Sequence, residues 1–256
     1  MKRSTRRNLV RYTAYAVVVG GLLAYSTQLT LGYEWHWVTF FQKWLPLLAW
    51  GLLYTLGISA TALCIALPLG IAVGLARISR DPGARLFGFV YVELIRGTPL
   101  LVQVMLWYWV LGTPFRMGEF GAAVCALSCF AASYIAEIVR AGIQSIERGQ
   151  MEAARSLGLT HFQAMRTIVV PQALRRVLPP LASEFIALVK DSSLASVIAF
   201  EELSKRATDI GSREMMPFEP WITAAAMYLV INVILSLGVR TLEHRLGVNH
   251  QEQVIR

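Results

Sequence analysis

Five stretches of the chain, residues 12–31, 44–76, 97–115, 120–136 and 220–239, contain no Asp, Glu, Lys or Arg. A helix rises about 1.5 Å per residue and needs about 20 apolar residues to cross a hydrocarbon core, so each run predicts one membrane span. Residues 44–76 are too many for one span and too few for two with a turn. Their first part, with Trp44, Pro46 and Trp50, predicts an interfacial lead-in. Residues 181–200 make a sixth candidate, although Glu184, Lys190 and Asp191 interrupt them. The expectation is six helices. One segment breaks the pattern: "EAARSLGLTHFQAMRTIVVP", residues 152–171, is polar, amphipathic and too long for a turn.

Composition sets the class. Of 256 residues, 55% are hydrophobic and 16% charged, and the mean hydropathy is +0.52. Soluble domains carry about a quarter charged residues, so the chain reads as an all-α polytopic membrane protein. Its net charge of +8 follows topology instead of marking a nucleic-acid surface. Lys2, Arg3, Arg6, Arg7 and Arg11 precede the first run, and Arg77, Arg80, Arg85 and Arg96 separate the second from the third. Arg140, Arg148, Arg155, Arg166, Arg175 and Arg176 lie in or beside the fourth loop, and Arg240, Arg245 and Arg256 follow the last run. The alternate loops are poor in basic residues, and residues 201–219 carry five acids against three bases. This positive-inside pattern turns both termini and the 152–171 segment toward the cytoplasm. The first run also fits a signal peptide, ending at Ala24-Tyr25-Ser26, whose cleavage leaves the later orientations unchanged. Cys64, Cys125 and Cys129 fall within runs without His or acids at ligand spacing, and read as small buried core residues. No metal site is expected.

The polar segment has its own helix signals. Glu152, Ala153, Ala154, Arg155 and Leu157 favour helix, and Gly158 suits the left-handed residue just past a helix end. Thr160 with Gln163 forms a capping box. Phe162, Met165, Ile168 and Val169 follow at helical spacing, Pro171 stops or bends that helix, and Pro179 and Pro180 close the segment. Glu152 stands between Arg148 and Arg155 at i,i+4 and i,i+3 spacing. Helices this short are marginal alone in water. Two readings fit: a hairpin lying on the membrane surface, or a protrusion inserted into a cytoplasmic partner.

Glu152-Ala153-Ala154, then Gly158 after three intervening residues, then Ile168-Val169-Val170-Pro171 resembles the EAA signature of ABC importer membrane subunits, with Val170 in place of Leu. The stretches "VELIRGTPLLVQVMLWYW" (92–109), "YIAEIVRAGIQSIERGQMEAARSLG" (134–158) and "LVKDSSLASVI" (188–198) resemble the polar amino acid permeases, which serve histidine, glutamine, glutamate, arginine, cystine and opines. The resemblance covers roughly residues 47–246. It implies a type I ABC importer transmembrane domain: a five-helix core, with one additional N-terminal helix that is a departure from many members. It divides the chain into a tail, extra helix and periplasmic loop (1–46), the permease domain (47–246, coupling loop about 145–180) and a cytoplasmic tail (247–256). It further implies that Glu152, Ala153, Ala154, Gly158, Ile168 and Pro171 form the coupling element that docks in a separate ATPase subunit. That subunit would bind ATP and Mg, with no cofactor in this chain. A second permease chain, identical or related, and a periplasmic or lipid-anchored binding protein are the other expected partners, beside membrane lipid. The location implied is the bacterial inner membrane.

Charged residues inside a span are costly, about 2.5–3.5 kcal/mol for Asp, Lys or Arg at the bilayer centre, so Glu184, Lys190 and Asp191 are expected to face protein or a water-filled path. Asp191-Ser192-Ser193 also suits a cap opening a second half-helix after a break. Lys190 and Asp191 beside Ser192, Ser193 and Ser196 would match an amino acid zwitterion; a structural ion pair fits equally. Glu93 and Arg96 are expected to begin the third span, with Thr98 and Pro99 at its capped start and Gln103 further in, near the path or its gate; Arg96 also reads as an interfacial anchor. Glu137 and Arg140 read as an intrahelical pair, and Ala66-xxx-Gly70-xxx-Gly74 as a close-packing face.

No G-x-x-x-x-G-K-[ST], H-E-x-x-H or Ser/His/Asp grouping is present. The reading is a transporter subunit, not an enzyme. The alternatives are an ABC permease for another small solute and an ion-coupled secondary transporter using Lys190 and Asp191.

Overall fold

In the computed structural model the described residues are 33–245, with Val17 and Gly21. Apart from those two residues, the expected first span, residues 12–31, lies outside them, as do both chain ends. Residues up to Thr39 and residues from Phe40 onward form two separate units. In the first, the rings of Tyr33 and Trp35 meet edge to face at 5.3 Å, and Trp35 stacks on Trp37 at 5.6 Å.

The described elements are helical throughout: α1 (Trp37–Arg77), α2 (Pro82–Arg96), α3 (Leu100–Met105) continuing as a π-helix (Leu106–Gly112), and α4 (Glu119–Gln144). They continue with α5 (Arg148–Ser156), α6 (His161–Ala164), a π-helix (Met165–Val169), α7 (Val170–Asp191), a 3₁₀ helix (Ser192–Ile198), α8 (Leu203–Arg213) and α9 (Glu219–Arg245). Among the described residues α1, α4 and α9 are long and apolar enough to cross a membrane. The pair Pro82–Arg96 and Leu100–Gly112 adds a fourth crossing if it counts as one span, bent by 99°. Helix α7, which carries Arg175, Arg176, Glu184, Lys190 and Asp191, does not meet that criterion, so the expected span over 181–200 is not among these crossings.

Several sequence expectations change. The lead-in before residue 51 is not a separate interfacial piece: α1 is a single helix of 41 residues that takes Pro46 and Pro68 within it. Pro171, Pro179 and Pro180 do not end the hairpin, because α7 begins at Val170 and carries all three. The π-helix before it absorbs the mismatch. Val170 N–H donates to Met165 O, one residue further back than an α-helical bond, directly ahead of the proline that lacks a donor. Cys64 is exposed, and Cys125 and Cys129 are half-buried, so none is the fully buried core residue expected.

Helix α4 is the centre of the bundle. Ala122, Ala123, Ala126, Ala131, Ala132 and Ala136 are all fully buried, and such small side chains let neighbouring backbones approach. The small-residue face of α1 lies against it. A Cβ on Gly70 would sit 2.6 Å from the Ile135 side chain, and one on Gly74 would sit 2.8 Å from Ala136 O. Ser128 Oγ donates to Ala62 O at 3.2 Å across the same seam. Gly142 plays the same part toward α7, where an added Cβ would collide with Val177.

Candidate functional site

The 152–171 segment folds as a hairpin of α5 and α6. Helix α5 closes in a Schellman arrangement: Gly158 N–H donates to Arg155 O (3.0 Å) and Leu159 N–H to Ala154 O (3.2 Å), with Gly158 at φ +83°. Two residues later Thr160 caps α6. Gln163 N–H donates to Thr160 Oγ1 (3.3 Å), and Thr160 N–H donates to Gln163 Oε1 (2.9 Å). Both signals are local, and both form as the sequence requires.

Burial sorts the hairpin into an inner and an outer side. Ala154 and Ala164 are buried between the two arms, and Ile168 is half-buried. Ile146, Val169 and Ala173 form a small core with Met151 and Met165 beneath them. Glu152, Ala153, Gly158 and Pro171 face outward. So do two large apolar side chains, Leu157 (82% exposed) and Phe162 (72%). The spacing of Phe162 with Met165 and Val169 suggests one apolar face, but the structure divides them between the two sides. Glu152 closes no ion pair with Arg155, and the side chain of Arg148 lies outside the described residues. The hairpin is tied to the bundle by Arg176 of α7, whose Nη1 donates to Ser145 O (2.6 Å) and Ser145 Oγ (2.9 Å) just past α4.

The expected path residues lie on α2, α3, α7 and the 3₁₀ helix. Glu93 and Arg96 do not begin a span. They close α2, with Gly97 as its C-cap, and the Thr98 hydroxyl donates back to Leu94 O at 3.1 Å instead of capping α3. Pro99 occupies the N-cap of α3 without a side-chain bond. Gln103 is buried and spends its amide on the break itself, its Nε2 donating to Ile95 O (2.6 Å), Thr98 Oγ1 (2.9 Å) and Thr98 O (3.2 Å). The break expected at Asp191-Ser192-Ser193 is absent. Helix α7 runs through Asp191 into the 3₁₀ helix, Asp191 makes no capping bond, and the buried Ser192 hydroxyl donates to Val189 O at 2.9 Å. An acid followed by two small hydroxyl residues caps a helix only if the backbone leaves the helical region first, and here it does not.

Some of these groups share α4 as a neighbour. Glu184 and Asp191 lie two turns apart on α7, which packs against α4, as does α2 with Arg96. The Arg96 guanidinium lies 4.8 Å from the Tyr134 ring centre of α4, a cation–π contact. Lys190 is exposed, Asp191, Ser193 and Ser196 are half-buried, and the 3₁₀ helix packs on α3. Arg96 and the pair Glu184 and Asp191 therefore stand on the two helices, α2 and α7, that pack on α4. Gln103 and Ser192 serve the local backbone.

Two further polar clusters reach beyond what the sequence signals. Glu137 accepts from Arg140 Nη2 at 2.7 Å, as its i,i+3 spacing suggests, and also pairs with Arg77 at the end of α1. Arg140 Nη1 donates to Gln144 Oε1 at 2.6 Å. Glu202 is fully buried and caps α8, accepting from Ser204 N (2.9 Å), Lys205 N (2.7 Å) and Tyr228 OH (2.7 Å). Thr55 of α1 joins it, donating to the carboxylate at 3.4 Å and accepting from Leu203 N at 3.2 Å. Burial raises the Glu202 pKa above the ordinary carboxylate value, against the opposing pull of these donors. Each cluster joins residues from separate helices, which spacing along one helix cannot reveal.

Known proteins resemble this chain in sequence and fold. The chain is 42% identical over 197 residues to the Bacillus subtilis (strain 168) protein named "Probable glutamine ABC transporter permease protein GlnM", covering 77% of this chain and 91% of that one. It is 39% identical over 207 residues to the Escherichia coli (strain K12) "Glutamine transport system permease protein GlnP", covering 80% and 94%. The fold superposes with a TM-score of 0.78, at 40% identity, on a chain from the crystal structure of an amino acid ABC transporter with histidines, covering 83% of this chain and all of that one. The profile of the family described as "Binding-protein-dependent transport system inner membrane component" matches residues 66–248, and the chain belongs to that family of ABC importer permease subunits.

Proposed function

We propose that this chain forms the translocation pathway for a polar amino acid and receives its driving force through the α5–α6 hairpin from a separate ATPase subunit. The observation that carries this reading is the hairpin's outer side. Leu157 and Phe162 stand exposed around a backbone fixed by Gly158 and Thr160, so a rigid, partly apolar knob projects from the bundle. Exposed apolar side chains on a preorganised element suit insertion into a partner's cleft. Glu152, Ala153 and Gly158 flank this knob on the outside, while Ala154 and Ile168 hold its arms together. Motion of the knob would pass through the Ile146–Val169–Ala173 core and the Arg176–Ser145 bonds to α4 and α7, which carry Tyr134, Glu184 and Asp191.

In this reading ATP and Mg are bound by the ATPase. A second permease chain, identical or related, completes the pathway, and a periplasmic or lipid-anchored binding protein delivers the substrate. The hairpin and both termini face the cytoplasm, and the domain layout is 1–46, 47–246 and 247–256. The relatives' names favour a polar amino acid, for which Arg96 and Glu93 of α2 and Glu184, Lys190 and Asp191 of α7, with Ser193 and Ser196 following, offer groups of both signs for a carboxylate and an ammonium.

The test is uptake into vesicles by the reconstituted complex, driven by internal ATP and competed with glutamine, glutamate, histidine, arginine and cystine in turn. Glu152→Trp should abolish ATP-driven uptake while leaving membrane insertion intact. Normal uptake in that variant would sink the coupling role, and failure of all five amino acids to compete would sink the substrate class.

A further inference from the structure

A cavity of about 1220 Å³ opens between the end of α1, the turn into α2 and the inner side of the hairpin. Its charged lining is mainly cationic: Arg77, Arg80 and Arg85 stand against one carboxylate, Glu147, with His161 beside them. Arg77 is held by Glu137, but Arg80 and Arg85 are exposed and close no salt bridge among the described residues. Asp81, the acid between them in sequence, is committed to the backbone, with Oδ2 accepting from Ala84 N at 2.6 Å as the cap of α2. Two guanidinium groups therefore border the cavity without a carboxylate in ion-pair contact among the described residues.

The neighbouring surface narrows the kinds of anion that could fill this place. From Arg85 onward α2 exposes Leu86, Phe87, Val90 and Leu94, of which Leu86, Val90 and Leu94 recur every four residues on one face. Because α2 is bent by 99° from the next segment, this apolar face and the cationic end lie along one short helix. A soluble anion would engage only the arginines. An amphiphilic anion would engage both.

We propose that this cavity holds the phosphate headgroup of an anionic phospholipid of the cytoplasmic leaflet. Arg80 and Arg85 donate to the phosphate oxygens, and an acyl chain lies along Leu86, Val90 and Leu94. Guanidinium forks match phosphate geometry, and an anionic leaflet attracts basic residues at its surface. The lipid would brace the hairpin from its inner side, leaving Leu157 and Phe162 free for the ATPase. The inference rests on the proposed function only in placing the hairpin side of the bundle at the cytoplasmic leaflet.

The test uses the purified permease–ATPase complex in nanodiscs of phosphatidylcholine doped with phosphatidylglycerol, with native mass spectrometry counting retained phosphatidylglycerol after extraction. The double variant Arg80→Gln/Arg85→Gln should retain less, by about fivefold per arginine removed. Leu86→Gln/Leu94→Gln should also lower retention, and inorganic phosphate should not displace the lipid. Equal retention in the arginine variant overturns the proposal, and so does displacement by inorganic phosphate alone. Loss of ATPase co-purification with lipid retention unchanged would assign the cavity to the ATPase contact and overturn it too. Glu152→Trp separates the two readings: it should lose coupling while keeping the lipid.

Discussion

Helix α4 keeps Ala122, Ala126, Ala131, Ala132 and Ala136 out of contact with its surroundings by setting them against α1, α2 and α7. The α5–α6 hairpin turns Leu157 and Phe162 outward and takes its shape from backbone bonds at Gly158 and the Thr160–Gln163 box. Packing holds the first, local geometry the second. Apolar surface consumed in a core is unavailable to a partner, whereas an element shaped by its caps can stay ordered with an apolar tip uncovered. That contrast explains how one chain combines a tightly packed bundle with an exposed apolar tip.

The largest expected effect comes from attacking the packed region. Gly70→Leu places a side chain where even a Cβ would lie 2.6 Å from Ile135 and 2.8 Å from Ala132 O. Overpacking of this kind destabilises by about 1–3 kcal/mol, occasionally more, and the backbone oxygen puts this site at the upper end. Thermal melting in detergent should fall sharply, together with the yield of folded protein. Gly158→Val tests the hairpin's geometry. Nothing lies within 4 Å of a Cβ there, so the penalty is conformational: a β-branched residue at φ +83°, worth about 1–2 kcal/mol. Bundle melting should change little, while ATPase co-purification falls.

The smallest effect concerns Glu202, which joins α1, α8 and α9. Its native pKa is raised by burial, so the folded state binds this proton more tightly than the unfolded chain does. The stabilisation is complete below the ordinary carboxylate pKa and is lost as pH rises through the native value. Melting temperature should therefore decline with rising pH above the ordinary carboxylate range, and Glu202→Gln should flatten that decline. An unchanged slope in the variant would remove Glu202 as its source.

The same division governs how much of the molecule is legible in the sequence alone. Gly158, Thr160 and Gln163 act on their own backbone within a few residues, so the hairpin is legible without any tertiary contact. The Ala66–Gly70–Gly74 face is legible because small residues at helical spacing leave few other uses. Asp191-Ser192-Ser193 misleads because a capping sequence needs a backbone that leaves the helix, and packing of the 3₁₀ helix on α3 keeps it helical. Glu93, Arg96 and Thr98 fall on the wrong side of a helix boundary, since the uncharged run at residue 97 hides the end of α2. Pro171, Pro179 and Pro180 suggest breaks that the π-helix ahead of α7 and the helix itself accommodate. Glu202 and Arg77 give no signal, because their partners lie on other helices.

The exposed tip of the hairpin is the ATPase contact in this picture, and one measurement addresses it directly. It is co-purification of the ATPase subunit with the Leu157→Asp/Phe162→Asp double variant, alongside its membrane insertion and thermal melting. Both side chains are largely exposed, so insertion and melting should match the unmodified chain. Co-purification and ATP-driven uptake should both be lost. Full retention of the ATPase by the inserted, stable double variant would contradict the assignment.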